Sequence, residues 1–270
     1  MGTGVSLNIH KSIHLSPPTD MNAIGVIPAR LGSTRLAQKV LLDINGKPML
    51  QYVWEAAKKA KALDDVIIAT DNEIVINAVS RFGAKVVLTS VDHKSGTDRV
   101  TEVVNPLDVK VVVNIQGDEP LIHPSMINEL AMALLGDSEL VMATLAKRIT
   151  DEKEIHDPNI VKVALDKEGF ALYFSRAAIP YTREPETGFL TQSHYKHIGI
   201  YAYTKDFLFT FANMPQSKLE QIEKLEQLRV LENGYKIKVI ETKYETKSVD
   251  VQEDLDAVKG ILFDSRPMRH

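Results

Sequence analysis

Arg30, Arg35 and Lys39 set three cations on one short polar segment, with Gly32, Ser33 and Thr34 between them. Fixed positive charge, small residues that let backbone N–H groups approach, and hydroxyl donors together suit a polyphosphate. The segment is neither a Walker loop nor a Gly-x-Gly-x-x-Gly fingerprint, because the required glycine and lysine spacings are missing. Taken alone, the same cations equally suit a solvated loop. Three further segments bear similar chemistry. Thr70-Asp71 closes an apolar run, and Ser95-Gly-Thr-Asp-Arg99 is a small-residue turn whose following helix could turn its first N–H groups toward an anion. Gln116-Gly-Asp-Glu-Pro120 places Asp118 just past a buried run, a carboxylate suited to Mg²⁺, which takes one or two carboxylates with phosphate oxygens and water. Asp250, in Ser248-Val249-Asp250, is the expected second carboxylate.

Each position also has a plainer reading. Asp71 and Asp250 could cap the helices that follow them, and Gly117 could serve only its turn. By spacing alone Arg176 reads as a surface charge and His197 as a half-buried sheet histidine. What favours the chemical reading is position: four suitable segments fall at successive strand ends, where open parallel sheets bind ligands.

The strands that deliver them are expected at 22–28, 65–70, 85–88 and 110–115, alternating with helices at 48–60, 72–81, 97–104 and 124–135. Runs of β-branched residues between helices predict a mainly parallel sheet covered on both faces, an α/β fold. Beyond residue 140 the pattern changes, with strands at 141–148, 161–166, 171–174 and 198–203 and few helices between them. Asp166-Lys-Glu-Gly169 reads as a hairpin turn, and 182–193 as a polar loop. Helices are expected again at 205–213 and 218–233, then a strand at 236–240 and a terminal helix at 252–262. The chain therefore divides into a flexible extension (1–21, with Met21 as the natural start), one domain (22–262) and a tail (263–270). Within the domain a smaller antiparallel lobe spans about 141–234.

Composition narrows the function classes. The net charge of −4 offers no global basic field for nucleic acid. The absence of cysteine excludes disulfides, thiolate metal sites and a cysteine nucleophile. No apolar run approaches the ~20 residues that span a bilayer, and the first twenty residues lack the apolar core of a signal peptide. His10 and His14 sit at helical spacing, but the nearby prolines argue against a metal site there.

Taken together, the motifs resemble the 3-deoxy-manno-octulosonate cytidylyltransferases, the CMP-Kdo synthetases. The likeness runs through Pro28-Ala-Arg30 with Ser33-Thr-Arg35, Ala69-Thr-Asp71, Ser95-Gly-Thr-Asp-Arg99 and Asn114-Ile-Gln-Gly-Asp-Glu-Pro120. It continues in Ala171-Leu-Tyr-Phe-Ser-Arg-Ala-Ala-Ile-Pro180, His197-Ile-Gly-Ile-Tyr201 and Leu225-Glu-Gln-Leu-Arg229. The resemblance implies the nucleotide-diphospho-sugar transferase type of fold and Mg²⁺-dependent transfer of CMP from CTP to Kdo. It also implies a cytoplasmic homodimer that supplies lipopolysaccharide synthesis. It assigns Ala29, Arg30, Ser33, Arg35, Lys39, Thr70, Asp71, Ser95, Gly96, Arg99 and Gln116 to the nucleotide, and Asp118 and Asp250 to the metal. Gln116, Arg176, His197, Tyr201, Glu226 and Gln227 would line the sugar pocket. Arg30, Lys39, Asp118 and Asp250 would carry catalysis. The outer face of the 218–233 helix would meet a partner subunit. Two departures stand out: Leu36-Ala37-Gln38-Lys39 replaces the family's Leu-Pro-Gly-Lys, and Ser248 replaces a usual glycine. Related acid sugars (8-amino-Kdo, sialic or pseudaminic acid) would share the phosphate machinery, with 175–201 favouring Kdo; a non-catalytic nucleotide-binding protein is the other alternative.

Overall fold

The computed structural model describes residues 21–32, 36–183 and 194–264. The expected N-terminal extension (apart from Met21), Ser33 and Arg35, most of the 182–193 loop and most of the C-terminal tail lie outside the described residues.

The first half alternates as its β-branched runs require. β1 (Met21–Pro28) leads to a single 3-10 turn (Lys39–Leu41), the two-residue strands β2 (Asp43–Ile44) and β3 (Lys47–Pro48), and α1 (Met49–Ala57). Then come β4 (Asp65–Thr70), α2 (Glu73–Ser80), β5 (Lys85–Leu88), α3 (Gly96–Val104), β6 (Val109–Asn114) and α4 (Pro124–Gly136). The second half contains β7 (Met142–Arg148), α5 (Glu152–His156), β8 (Lys162–Leu165), β9 (Ala171–Ser175) and β10 (Tyr195–Thr204). It closes with α6 (Lys205–Asn213), α7 (Lys218–Glu223), α8 (Leu228–Glu232), β11 (Lys238–Glu241) and α9 (Gln252–Asp264).

Seven strands lie side by side in the order β11-β7-β10-β6-β1-β4-β5, with β8 and β9 extending the sheet from β10. β6, β1, β4 and β5 are parallel, and β11 is parallel to β7, whereas β10 runs antiparallel to both its neighbours. The antiparallel portion is thus continuous with the main sheet. The sheet is apolar on both faces because both are covered. Ala23 and Ile27 of β1 pack with Leu50 and Val53 of α1 and Met126 and Leu130 of α4. Ile24 and Val26 pack on the other side with Val100 and Val104 of α3 and Phe207 and Phe211 of α6. A smaller cluster of Ile44, Met49, Val249, Leu255 and Val258 joins the β2–β3 hairpin to α9.

Three elements differ from the sequence expectation. The hairpin β2–β3 was not foreseen, although Asn45-Gly46 (φ 52° and 90°) is the left-handed pair that two-residue hairpin turns favour. The short helix α5 was likewise unforeseen; Asp151 caps it by accepting from the Lys153 N–H. The helix expected over 218–233 is two helices. Lys224 adopts φ 56° at the end of α7, which breaks the run, and Glu226 and Gln227 fall in the connecting turn. Gln227 is 4 % exposed, so it faces the interior and not an outer surface.

Candidate active site

The carboxyl ends of β1 and β6 and the turn that leads from β5 into α3 open onto one cleft of about 410 Å³, lined by Arg30, Lys39, Ser95, Gly96, Gln116, Asp118 and Asp250, with Gly32, Lys94 and Gly117 among others. Residues far apart in the chain meet here because each ends a strand or begins a helix at the same edge. Gly117 permits the close approach of β1 and β6: a Cβ on it would lie 3.0 Å from the Pro28 carbonyl oxygen. A larger groove of about 710 Å³, between the β2–β3 hairpin and α2, contains none of the expected site residues.

At the centre of the cleft the Lys39 ammonium donates to Asp118 Oδ2 (2.6 Å) and to Asp250 Oδ1 (3.1 Å). Burial opposes its charge, but the two carboxylates outweigh that and hold its pKa above the ordinary lysine value. At the start of α9 the Asp254 carboxylate accepts from the Asp250 and Val251 N–H groups. The adjacent Glu119 is partly buried; desolvation pushes its carboxyl up to about 7, Thr246 donating to it works the other way, and repulsion from Asp118 and Asp250 adds to the rise.

The turn that presents Lys39 is held by a left-handed residue, Gln38 (φ 52°, ψ 36°), at the position where the family pattern has glycine. A side chain there costs about 1 kcal/mol relative to glycine. Arg30 is fixed by donating to the His93 carbonyl at 2.8 Å. Ser95 caps α3 and pairs with Asp98 in a capping box, which rigidifies the helix N-terminus at the cleft wall.

Four expected nucleotide-site residues are placed differently. Arg99 is fully buried, donating to Asp71 at 2.6 Å and to Thr89, so its guanidinium braces the end of β4 and does not face the cleft. Asp71 is therefore Arg99's partner, and the cap of α2 is Asn72. Thr70 is also buried, its hydroxyl accepting from the Asn72 N–H and its carbonyl from Thr89. The buried Ala29 donates its N–H to the Ala69 carbonyl at 2.8 Å.

The residues expected around the sugar form a second group beside the cleft. Residues four apart on a regular strand lie about 13 Å apart. In β10 a register shift between Ile198 and Tyr201 brings the His197 and Tyr201 rings to 5.5 Å. His197 Nε2 sits 2.9 Å from Thr144 Oγ1, and Phe174 meets its ring edge-on. Burial lowers the His197 pKa to about 3, so the ring is neutral. The Tyr201 phenol is pushed above its ordinary range by burial and by Glu226. Burial likewise raises Glu226, only partly countered by the Thr97 hydroxyl, which donates to it at 3.0 Å, and by Arg229. Thr97 follows the cleft-lining Gly96, and Tyr201 pairs with Asn114 two residues before Gln116, so the two groups adjoin. Arg176 sits apart, at the end of β9, its guanidinium donating to the carbonyls of Glu223 (3.0 Å) and Pro158 (2.9 Å). Thr97 and Thr144 were missed in the sequence because their partners are 129 and 53 residues away.

Comparison with known proteins agrees with this geometry. A family model described as cytidylyltransferase matches residues 24–238. The 3-deoxy-manno-octulosonate cytidylyltransferase of Solibacter usitatus is 50 % identical over 239 residues, covering 88 % of this chain and 94 % of that one. Its counterpart from Geobacter metallireducens is 48 % identical over 245 residues, 88 % and 96 % of the two chains. A solved CMP:2-keto-3-deoxy-manno-octonic acid synthetase complexed with CTP superposes with a TM-score of 0.85 at 41 % identity, over 91 % of this chain and all of that one. The chain belongs to the 3-deoxy-manno-octulosonate cytidylyltransferase family of nucleotidyltransferases.

Proposed function

We propose that the protein activates Kdo for lipopolysaccharide synthesis: CTP and Kdo yield CMP-Kdo and pyrophosphate. The observation that carries this reading is the cleft in which Lys39, Asp118 and Asp250 converge beside the His197–Tyr201 group. The anomeric hydroxyl of Kdo attacks the α-phosphorus in line. The new P–O bond forms as the bond to the bridging oxygen of pyrophosphate breaks, and the hydroxyl proton is released. Arg30 and Lys39 neutralise charge that develops on the α-phosphate and the leaving group, and the N-terminus of α3 borders the nucleotide.

The donor set fits Mg²⁺. Two carboxylate oxygens converge on one cationic point, now held by the Lys39 ammonium. Among the described residues no cluster of three or more His, Cys, Asp or Glu offers a complete protein cage. That is the pattern for an ion which takes its remaining oxygens from a triphosphate and water. Asp118 and Asp250 would hold it, and it would supply Lewis-acid stabilisation of the phosphoryl charge.

His197, Tyr201, Glu226 and Gln227 bind the sugar, whereas Arg176, expected there as a fork for the carboxylate, donates its guanidinium N–H groups to the Glu223 and Pro158 carbonyls. Gln116 stands at the junction of the two subsites. A neutral His197 acts as a hydrogen-bonding group. His197→Gln is therefore expected to raise KM for Kdo while leaving the shape of the kcat/KM profile between about pH 5.5 and 8.5 unchanged. An inflection near 6.5 that disappears in the variant would contradict this role.

Pyrophosphate release measured across CTP, UTP and a panel of acid sugars tests the whole reading. Turnover with CTP and Kdo is expected to exceed that with 8-amino-Kdo, sialic or pseudaminic acid, and a preference for another sugar overturns the assignment. The same family likeness supports a homodimer working in the cytoplasm, and no helix among the described residues is long and apolar enough to cross a membrane.

A further inference from the structure

Asp250 reaches the cleft on a strap, residues 242–249, that belongs to no helix or strand. What fixes the strap is a series of side-chain and backbone ties. The Thr242 N–H donates to the Ala146 carbonyl (2.9 Å), and the Tyr244 ring stacks on His123 at 3.7 Å. Glu245 lies between two ammonium groups, Lys147 of β7 and Lys196 of β10, the latter at 2.7 Å. Thr246 donates to Glu119, and the Val249 N–H donates to the Asp118 carbonyl at 3.0 Å.

Glu245 is the tie that joins the strap to the sugar side of the site. Its partner Lys196 precedes His197 on β10 and also binds Glu154 of α5 at 2.7 Å. The Glu245 side chain is 56 % exposed, so this pairing adds little to global stability. Burial raises its carboxyl, but Lys147 and Lys196 outweigh that and hold it below the ordinary range. A charge kept between two cations, on the residue midway along an otherwise irregular strap, has a local consequence: it limits where Asp250 can sit.

The geometry points to Glu245, gripped by Lys147 and Lys196, as a positioning residue that holds Asp250 in register with Asp118 for a divalent cation. This rests on the assignment of Asp118 and Asp250 as cation ligands. Mn²⁺ titrated into the full-length protein with CTP and without Kdo, the free ion read by electron paramagnetic resonance against a CTP-only blank, tests both. Glu245→Ala and Glu245→Gln are each expected to weaken Mn²⁺ binding about five-fold while the melting temperature is unchanged. Glu245→Asp, which keeps the charge, is expected to recover part of the loss. Binding as tight as wild type in both charge-removing variants overturns the role of Glu245. So does a loss of binding that merely tracks a fall in melting temperature. Asp118→Asn separates the two ideas: if it binds Mn²⁺ like wild type, the ligand assignment itself fails.

Discussion

Asp118→Asn is expected to lower kcat by at least about a hundred-fold, or roughly 3 kcal/mol in the barrier, while leaving the fold intact. The reason lies in what the isosteric change removes. Asp118 is held at the end of β6 by Gly117, and its carboxylate shares the Lys39 ammonium with Asp250. Asparagine keeps the size and the hydrogen-bonding shape but withdraws one of two negative charges from the point where a divalent cation would sit. Lys39 still has Asp250, so no buried charge is left without a partner. Pyrophosphate release with saturating CTP and Kdo gives the rate, and circular dichroism with thermal melting checks the fold. A kcat within ten-fold of wild type, in a folded variant, would remove Asp118 from the chemistry.

The second large effect is on stability. Arg99→Met is expected to destabilise the protein by about 3 kcal/mol, read from the urea midpoint and slope. Arg99 is fully buried and bound to Asp71 at 2.6 Å and to Thr89. Methionine restores most of the volume but strands the Asp71 carboxylate beside an apolar chain. Breaking one side of such a pair costs more than replacing both. Arg99→Met with Asp71→Asn should therefore recover part of the loss, as a double-mutant cycle would show. A single-variant loss under about 1 kcal/mol would contradict the bracing role. Because α3 begins at the cleft wall, the same variant is expected to weaken CTP binding without contacting it.

Local chemistry made much of this fold legible. β4, β5 and α6 fall where their residues predict, since a β-branched run between turns has few alternatives and Lys205–Asn213 keeps helical spacing throughout. The 218–233 stretch keeps helical spacing too, yet Lys224 turns left-handed there. No residue type announces that, because lysine is an ordinary helix former. At the site, the strand-end rule located Arg30, Lys39, Ser95, Gln116 and Asp118 in one cleft. It could not distinguish the cations that face that cleft from Arg99, which lies one helical turn inward and pairs with Asp71. The expected meeting of Asp118 and Asp250 across 132 residues rests on residue type and not on spacing, and that of Thr97 with Glu226 across 129 has no signal in the sequence. Those pairings are decided by tertiary packing, by the cluster around Val249 and by the turn between α7 and α8.

Lys39, lodged between Asp118 and Asp250, has a practical consequence for the protein at rest. Two acids forced together would ordinarily push apart, and many proteins need a bound ion to keep such a pair closed. Here an ammonium from the same chain already quiets that repulsion, so the fold is expected to hold without a bound ion. Exhaustive treatment with EDTA is expected to silence the enzyme yet leave its melting temperature where it was, with activity returning when the divalent ion is restored. A melting temperature that falls on chelation would mean that the lysine does not suffice. If it does suffice, the protein can be made, stored and shipped without metal, and switched on at the bench.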